Sequence, residues 1–142
     1  MSDAIAAFGT LLKMGNGAGT SEVFTTISEV GDIDGPSDSV DTIDVTSHSS
    51  PSARKEFIAS LFDSGEVSFP INLDPNDATH DATTGLRKKY NDRTITNFQM
   101  LFPDASQVSF SALVTKFSIK APVAGKLSAD ITLKLSGVMV WS

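Results

Sequence analysis

Asp63-Ser64-Gly65 is the tripeptide whose residue types and order come closest to a known chemistry. With Leu61-Phe62 before it, it has the form of the aspartic-protease signature, an apolar pair leading into Asp-Ser/Thr-Gly. That chemistry needs two carboxylates sharing one proton, which a dimer could supply from one copy per subunit. A second element is also needed downstream, an apolar pair, Gly and then Arg or Asn. The nearest match is Leu135-Ser136-Gly137-Val138, where an apolar residue follows the Gly. A turn entering a strand at Glu66 explains the same tripeptide without catalysis. A second candidate, Gly35-Pro36-Ser37-Asp38-Ser39, misses the closing Gly of a G-x-S-x-G nucleophile elbow. His48 and His80 are the only histidines available to any triad. Asp74–Asp81, DPNDATHD, is rich in oxygen ligands. Against the calcium-loop pattern it has Ala78 at the fifth position, Thr79 where Gly is needed and Gly85 in place of the final Glu. Helix capping accounts for it better. Gly15-Asn16-Gly17-Ala18-Gly19-Thr20 lacks the Lys of a phosphate-binding loop and reads as a hairpin turn. The expectation is therefore no catalytic residue, no metal ligand and no cofactor.

The elements that would carry these residues are mostly strands. Leu127, Ala129, Ile131, Leu133, Leu135, Met139 and Trp141 occupy one parity, with Ser128, Asp130, Thr132, Lys134 and Ser136 on the other. Such alternation marks one buried and one wet face. Val138 and Val140 break it, which predicts that the last stretch is covered on both sides. Fully extended, Leu127–Trp141 would span roughly 50 Å. A chain of this length has a diameter under about 40 Å, so a bend is expected, with Gly137 the natural place. Val67, Phe69, Ile71 and Leu73 form a second alternating strand, and Pro70 places it at an edge or bulge. Phe98, Met100 and Phe102 form a third. After the turn Pro103–Ser106, Val108, Phe110, Ala112 and Val114 form a fourth, and the phase slips before Phe117 and Ile119. Thr10–Met14 and Val23–Ile27 read as a hairpin, and Thr42–Thr46 as a further strand. Ala82, Leu86 and Tyr90 make a narrow helical stripe. Asp77 or Thr79 is expected to cap it, with Arg87, Lys88 and Lys89 toward its C-terminal half. The pattern predicts a mainly β chain, a sandwich or barrel with one flanking α-helix.

Composition narrows the function classes. The 142 residues suit a single domain spanning 1–142, and the chain has no cysteine, which removes disulfides and thiolate metal sites. No apolar run approaches the ~20 residues of a membrane helix. Asp3 stands where a signal peptide would be positive, so a cytosolic or virion product is expected, with no membrane anchor. The net charge of −6 argues against ordinary nucleic-acid binding. Residues 1–50 carry Asp3, Glu22, Glu29, Asp32, Asp34, Asp38, Asp41 and Asp44 against Lys13 alone. Residues 105–142 carry Lys116, Lys120, Lys126 and Lys134 against Asp130. If these segments lie at opposite ends, copies could stack head to tail with complementary potentials.

One connection remains. Between the strand-like runs of Val40–Leu73 lies a stretch from Thr46 to Ser64, far longer than the usual 4–6 residues. It contains Phe57, Ile58, Leu61 and Phe62, too apolar for a solvated linker, and another copy of the chain is the expected cover.

The order of segments resembles the tail tube (major tail) proteins of long-tailed bacteriophages and gene-transfer particles. The residues that carry the likeness are IDGPSDSVDTIDVTSHSSP, LFDSGEVSFPINLDP and APVAGKLSADITLKLSG, and it covers nearly the whole chain. The resemblance implies a structural virion protein of the tail, made in the bacterial host cytoplasm. Its homo-oligomeric hexameric rings would stack into a tube, with tape-measure, terminator and tip proteins as partners. DNA would pass through the lumen without specific binding, repelled by an acidic wall over about a Debye length. It also implies an N-terminal arm, residues 1–9, and an assembly loop, residues 47–63. The subunit-interface residues would be Ile5, Phe8, His48, Pro51, Arg54, Phe57, Ile58, Leu61 and Phe62. The alternatives are a tube protein of a contractile injection or type VI secretion system, and a monomeric β-sandwich binding module.

Overall fold

A computed structural model describes residues 4–17 and 22–142. The expected turn at Gly15–Thr20 and the start of the arm thus fall partly outside the described residues. The strands are β1 (Leu11–Gly15), β2 (Phe24–Thr26), β3 (Ser39–Asp44), β4 (Phe57–Asp63), β5 (Glu66–Asn72), β6 (Ile95–Leu101), β7 (Gln107–Lys120), β8 (Ser128–Leu135) and β9 (Val140–Trp141). A single α-helix among the described residues, α1 (Leu86–Asp92), precedes β6. The expected mainly β class with one flanking helix is what the chain adopts.

The large sheet runs β2-β1-β6-β7-β8-β5, with β9 also on β7. All of its named pairs are antiparallel. The alternation read from the sequence decides its faces. In β8 the buried residues are Ala129, Ile131, Leu133 and Leu135; in β5 they are Val67, Phe69 and Ile71; in β7 they are Val108, Phe110, Ala112 and Val114. These join Leu12, Met14, Phe98, Met100 and Leu86 in one core. Phe98 stacks on Phe110 with centroids 5.9 Å apart, a contact worth about 0.5–1.5 kcal/mol beyond burial. The other parity is polar, with Ser109, Ser111, Asp130, Thr132 and Lys134 partly exposed.

The two edges of this sheet are joined by one stretch of chain. Leaving β2, the Ile27 N–H donates to the Leu12 carbonyl on β1. A few residues on, Val30 bridges Ile71 and Asp34 bridges Ser68 on β5. The sheet thus rolls toward a barrel. Pro70 sits on that β5 edge, and its carbonyl accepts the Gly31 N–H, so its missing donor costs no ladder bond. The slip expected before Phe117 is a bulge between Val114 and Lys116. At the bend near Gly137 the chain leaves β8 and rejoins the same strand as β9, Val140 facing Ser109 and Trp141 facing Val108. Gly137 takes φ +88°, which favours glycine.

Three expectations need correcting. The helix begins at Leu86, not near Asp77. The Asp81 carboxylate accepts N–H groups from Thr83, Thr84 and Gly85, holding the preceding residues in turns and leaving Ala82 outside. Arg87 and Lys88 therefore fall in its first half, where Arg87 lies over the Tyr90 and Phe117 rings at 5.1 and 5.3 Å. Second, Val138 and Val140 are exposed within the subunit, not covered on both sides. Third, the acidic and basic segments, whose separation was the condition for head-to-tail stacking, meet at one place. Glu29 lines the same cleft as Lys120 and Lys126.

Candidate assembly surfaces

The stretch expected as a loop over 47–63 is half strand. Residues 57–63 form β4, which pairs with β3 in a separate two-stranded sheet. Only residues 45–56 connect them, closed by the Val45 N–H to the Glu56 carbonyl and by a tight turn at Pro51–Ala53. Val40 faces Phe62, Thr42 faces Ala59, Ile43 faces Ile58 and Asp44 faces Phe57. Facing residues share a side of the sheet. One side therefore carries Val40, Phe62, Ala59 and Phe57, and the other carries Ile43 and Ile58. Every residue of both strands is exposed, with Leu61 and Phe62 each at 77%. A lone two-stranded hairpin is marginal in water, and this one shows apolar groups on both sides.

Its base is fastened to the barrel by Asp63-Ser64-Gly65. The Asp63 carboxylate accepts the Gly65 N–H at 2.9 Å and the Lys134 ammonium at 3.3 Å. Ser64 Oγ donates to the Gly137 carbonyl, and the Leu135 N–H donates to that of Gly65. The Gly65 amide, then the hydrogen bond and charge of Lys134, hold the Asp63 carboxyl below its usual range. An aspartic-protease dyad must keep a shared proton, and an exposed carboxylate paired to a cation does the opposite. The tripeptide is a hinge, with Gly65 at φ +74°.

The other chemistry-bearing stretch is also absorbed by structure. His80 is buried; its Nδ1 accepts the Asp74 N–H at 3.1 Å and its Nε2 lies 2.6 Å from the Ser28 carbonyl. That pattern puts the ring proton on Nε2. Asp77 accepts from the Thr79 amide and hydroxyl, which hold its carboxyl below the usual range. No group of His, Asp and Glu able to hold a metal occurs among the described residues. No helix there is long and apolar enough to cross a membrane.

The remaining interface candidates separate into two places. His48, Pro51 and Arg54 are exposed in the hairpin connection, adjoining Phe57 and Ile58. Ile5 and Phe8 are exposed on the arm, where they line a half-open cleft of about 940 Å³. Its floor is Val30, Ile33, Met100, Phe102 and Trp141. Phe102 and Trp141 stack with centroids 6.2 Å apart. Sequence reasoning left these floor residues out of the interface set, although the broken alternation at Val138 and Val140 marked the end of the chain as unusual. Val123, fully exposed between β7 and β8, was also passed over.

The architecture has solved counterparts. The chain superposes on a subunit of the tail of an empty gene transfer agent (GTA) particle, refined with helical C6 symmetry, with TM-score 0.79 and 21% identity, covering 98% of this chain and 99% of that one. A subunit of the native GTA virion matches with TM-score 0.78 and 20% identity, again covering 98% and 99%. A subunit of the sheath/tube terminator assembly of an extracellular contractile injection system, PVC, matches with TM-score 0.71 and 13% identity, covering 100% and 99%. No curated protein sequence matches. The profile of the Lambda phage tail tube protein family, TTP, matches residues 13–142. Its members are structural tail components rather than enzymes. The chain belongs to the Lambda phage tail tube protein family.

Proposed function

We propose that this tail tube protein forms six-membered rings that stack into a tube through which DNA leaves the particle. The observation that carries the reading is the β3–β4 hairpin, apolar on both sides and exposed along its whole length. Covering two sides at once takes more than one neighbour, which a ring stacked on rings provides. The C6 symmetry of the GTA tail supports the ring number. In this reading residues 1–9 are an arm and residues 47–63 belong to the assembly element. Ile5, Phe8, His48, Pro51, Arg54, Phe57, Ile58, Leu61 and Phe62 are interface residues. A tape-measure protein fills the tube before ejection, terminator and tip proteins close its ends, and the subunit is made in the host cytoplasm.

No bond is made or broken. The work is geometric, and the electrostatic part is to let phosphates pass. A net charge of −6 disfavours retention of DNA over roughly 8–10 Å. Two lysines on the polar side of the sheet are neutralised, Lys134 by Asp63 and Lys120 by Asp130 at 2.7 Å.

Electron microscopy of the purified protein over a concentration series tests the reading. Rings and tubes with six-fold end views are expected; a species that stays a sharp monomer at high concentration overturns it. The likeness to a contractile injection assembly supports a second reading, the inner tube of such a system. Genes for a sheath beside this one would favour that second reading.

A further inference from the structure

We infer that the hairpin tip of one copy seats in the cleft between the arm and the C-terminal strand of the next. This rests on the stacked-ring reading and names the surface that receives the hairpin. A repeating head-to-tail contact needs a donor patch and a different acceptor patch on the same chain. Among the described residues the exposed hairpin offers a donor and the cleft beside the arm an acceptor. The strands of the hairpin carry its tip about 20 Å from the hinge. That tip presents Phe57 and Ile58 beside Arg54 and Lys55. The cleft is floored by Met100, Phe102 and Trp141 and is wide enough, at about 940 Å³, to take more than one side chain.

Charge chooses between this occupant and others. Asp32 is the one charged residue among those lining the cleft. Asp104 lies next to the cleft, in the turn between the lining residues Pro103 and Ser106. Its bonds from the Ser106 hydroxyl and amide hold it below the usual carboxyl range, so it is charged. The tip is the complement. Arg54 and Lys55 make no ion pair among the described residues. Two neighbouring acids keep their charge but are held back within the hairpin, Asp44 accepting the Thr46 N–H and Glu56 the Ser50 hydroxyl. Two unpaired bases beside an apolar shoulder fit an apolar cleft that offers Asp32. The arm that forms one wall carries no base between residues 4 and 10 to meet Asp32 itself.

The absence of native cysteine makes thiol cross-linking clean. Arg54→Cys and Asp32→Cys variants are mixed, assembled and treated with a short bis-maleimide. A covalent dimer in pelleted tubes, absent from dilute monomer, is expected. Tubes that form from both variants without a cross-link overturn the docking and leave the tube reading intact. Wild-type protein that never forms rings or tubes overturns both. If either cysteine variant fails to assemble, charge reversal decides. Arg54→Glu or Asp32→Arg alone should raise the concentration needed for assembly at least about tenfold, and the mixed-sign pair in one chain should recover it. Folded double variants that recover nothing overturn the pairing. A Phe8→Cys/Phe102→Cys chain that cross-links within itself and still assembles normally shows the arm filling the cleft, which also overturns it.

Discussion

β4 and β5 are neighbours in sequence, seven residues each, separated only by Ser64-Gly65. β4 carries Phe57, Ile58, Leu61 and Phe62, β5 carries Val67, Phe69 and Ile71, and both are antiparallel strands. Yet Phe69 of β5 is 2% exposed and Phe62 of β4 is 77% exposed. In β5 the apolar residues fall on one parity and face a core that the subunit builds for itself. In β4 they fall on both, paired only with another exposed strand. Apolar content alone therefore says little about stability. Its distribution between the two faces separates what holds the subunit together from what the subunit leaves uncovered.

The largest expected effect tests that contrast directly. Phe69→Ala should cost about 3–5 kcal/mol in urea unfolding of the monomer, the range for a buried Phe left as a cavity. Phe62→Asp should shift the same transition by less than about 0.5 kcal/mol, as surface changes do, and abolish pelletable tubes. Should Phe62→Asp unfold the subunit, β4 belongs to its own core and the contrast fails. Next in size is His80→Leu, which leaves the Asp74 N–H and Ser28 carbonyl without their partner. A loss of about 1–3 kcal/mol follows from two deserted, partly buried groups, and tubes should still form from the folded fraction. Gly65→Ala strikes the hinge between the two regions. Its φ is +74° and an added Cβ would run into the Ser37 carbonyl oxygen, so a cost of about 1–3 kcal/mol is expected. Here assembly should fall more than stability predicts, because the hairpin's direction changes.

How much of this was legible in the sequence depends on the same distinction. β5, β6, β7 and β8 announce themselves because one face is buried and period two survives. Even the bulge near Lys116 shows, as a slip of phase. β4 does not, because no face is buried, and two residues, Ser60 and Leu61, stand opposite Asp41 where the register shifts. Its exposed apolar residues were nevertheless visible as groups lacking a cover. The cleft floor was not, since Met100 and Phe102 read as ordinary strand residues. Only the rolled sheet brings them to Trp141 and the arm. The helix start failed for a local reason. Asp77 and Thr79 look like caps, yet the helix starts after Gly85 with no side-chain cap, because Asp81 holds the residues before it in turns, a geometry that spacing does not contain.

The smallest effect concerns charge at the hinge. Asp63 is held below its usual carboxyl range by the Gly65 amide and by Lys134. A carboxyl with a lowered folded-state pKa adds stability that is complete above the ordinary carboxylate range. That stability is lost as pH falls through the lowered value. Asp63→Asn keeps an acceptor for the Gly65 N–H and removes only the pairing with Lys134. The variant should therefore be slightly less stable than wild type at neutral pH, and the gap should close as acid protonates the wild-type carboxyl. Asp130 gives the matched control on the polar face of the large sheet, lowered mainly by Lys120. Asp130→Asn should show the same closing gap in urea midpoints and leave light scattering by tubes unchanged, whereas Asp63→Asn should weaken both. Parallel urea midpoints for Asp63→Asn and wild type down through the acid range would mean that Lys134 adds nothing at the hinge. The hairpin's direction would then rest on the backbone of Gly65 and the Ser64 hydroxyl alone.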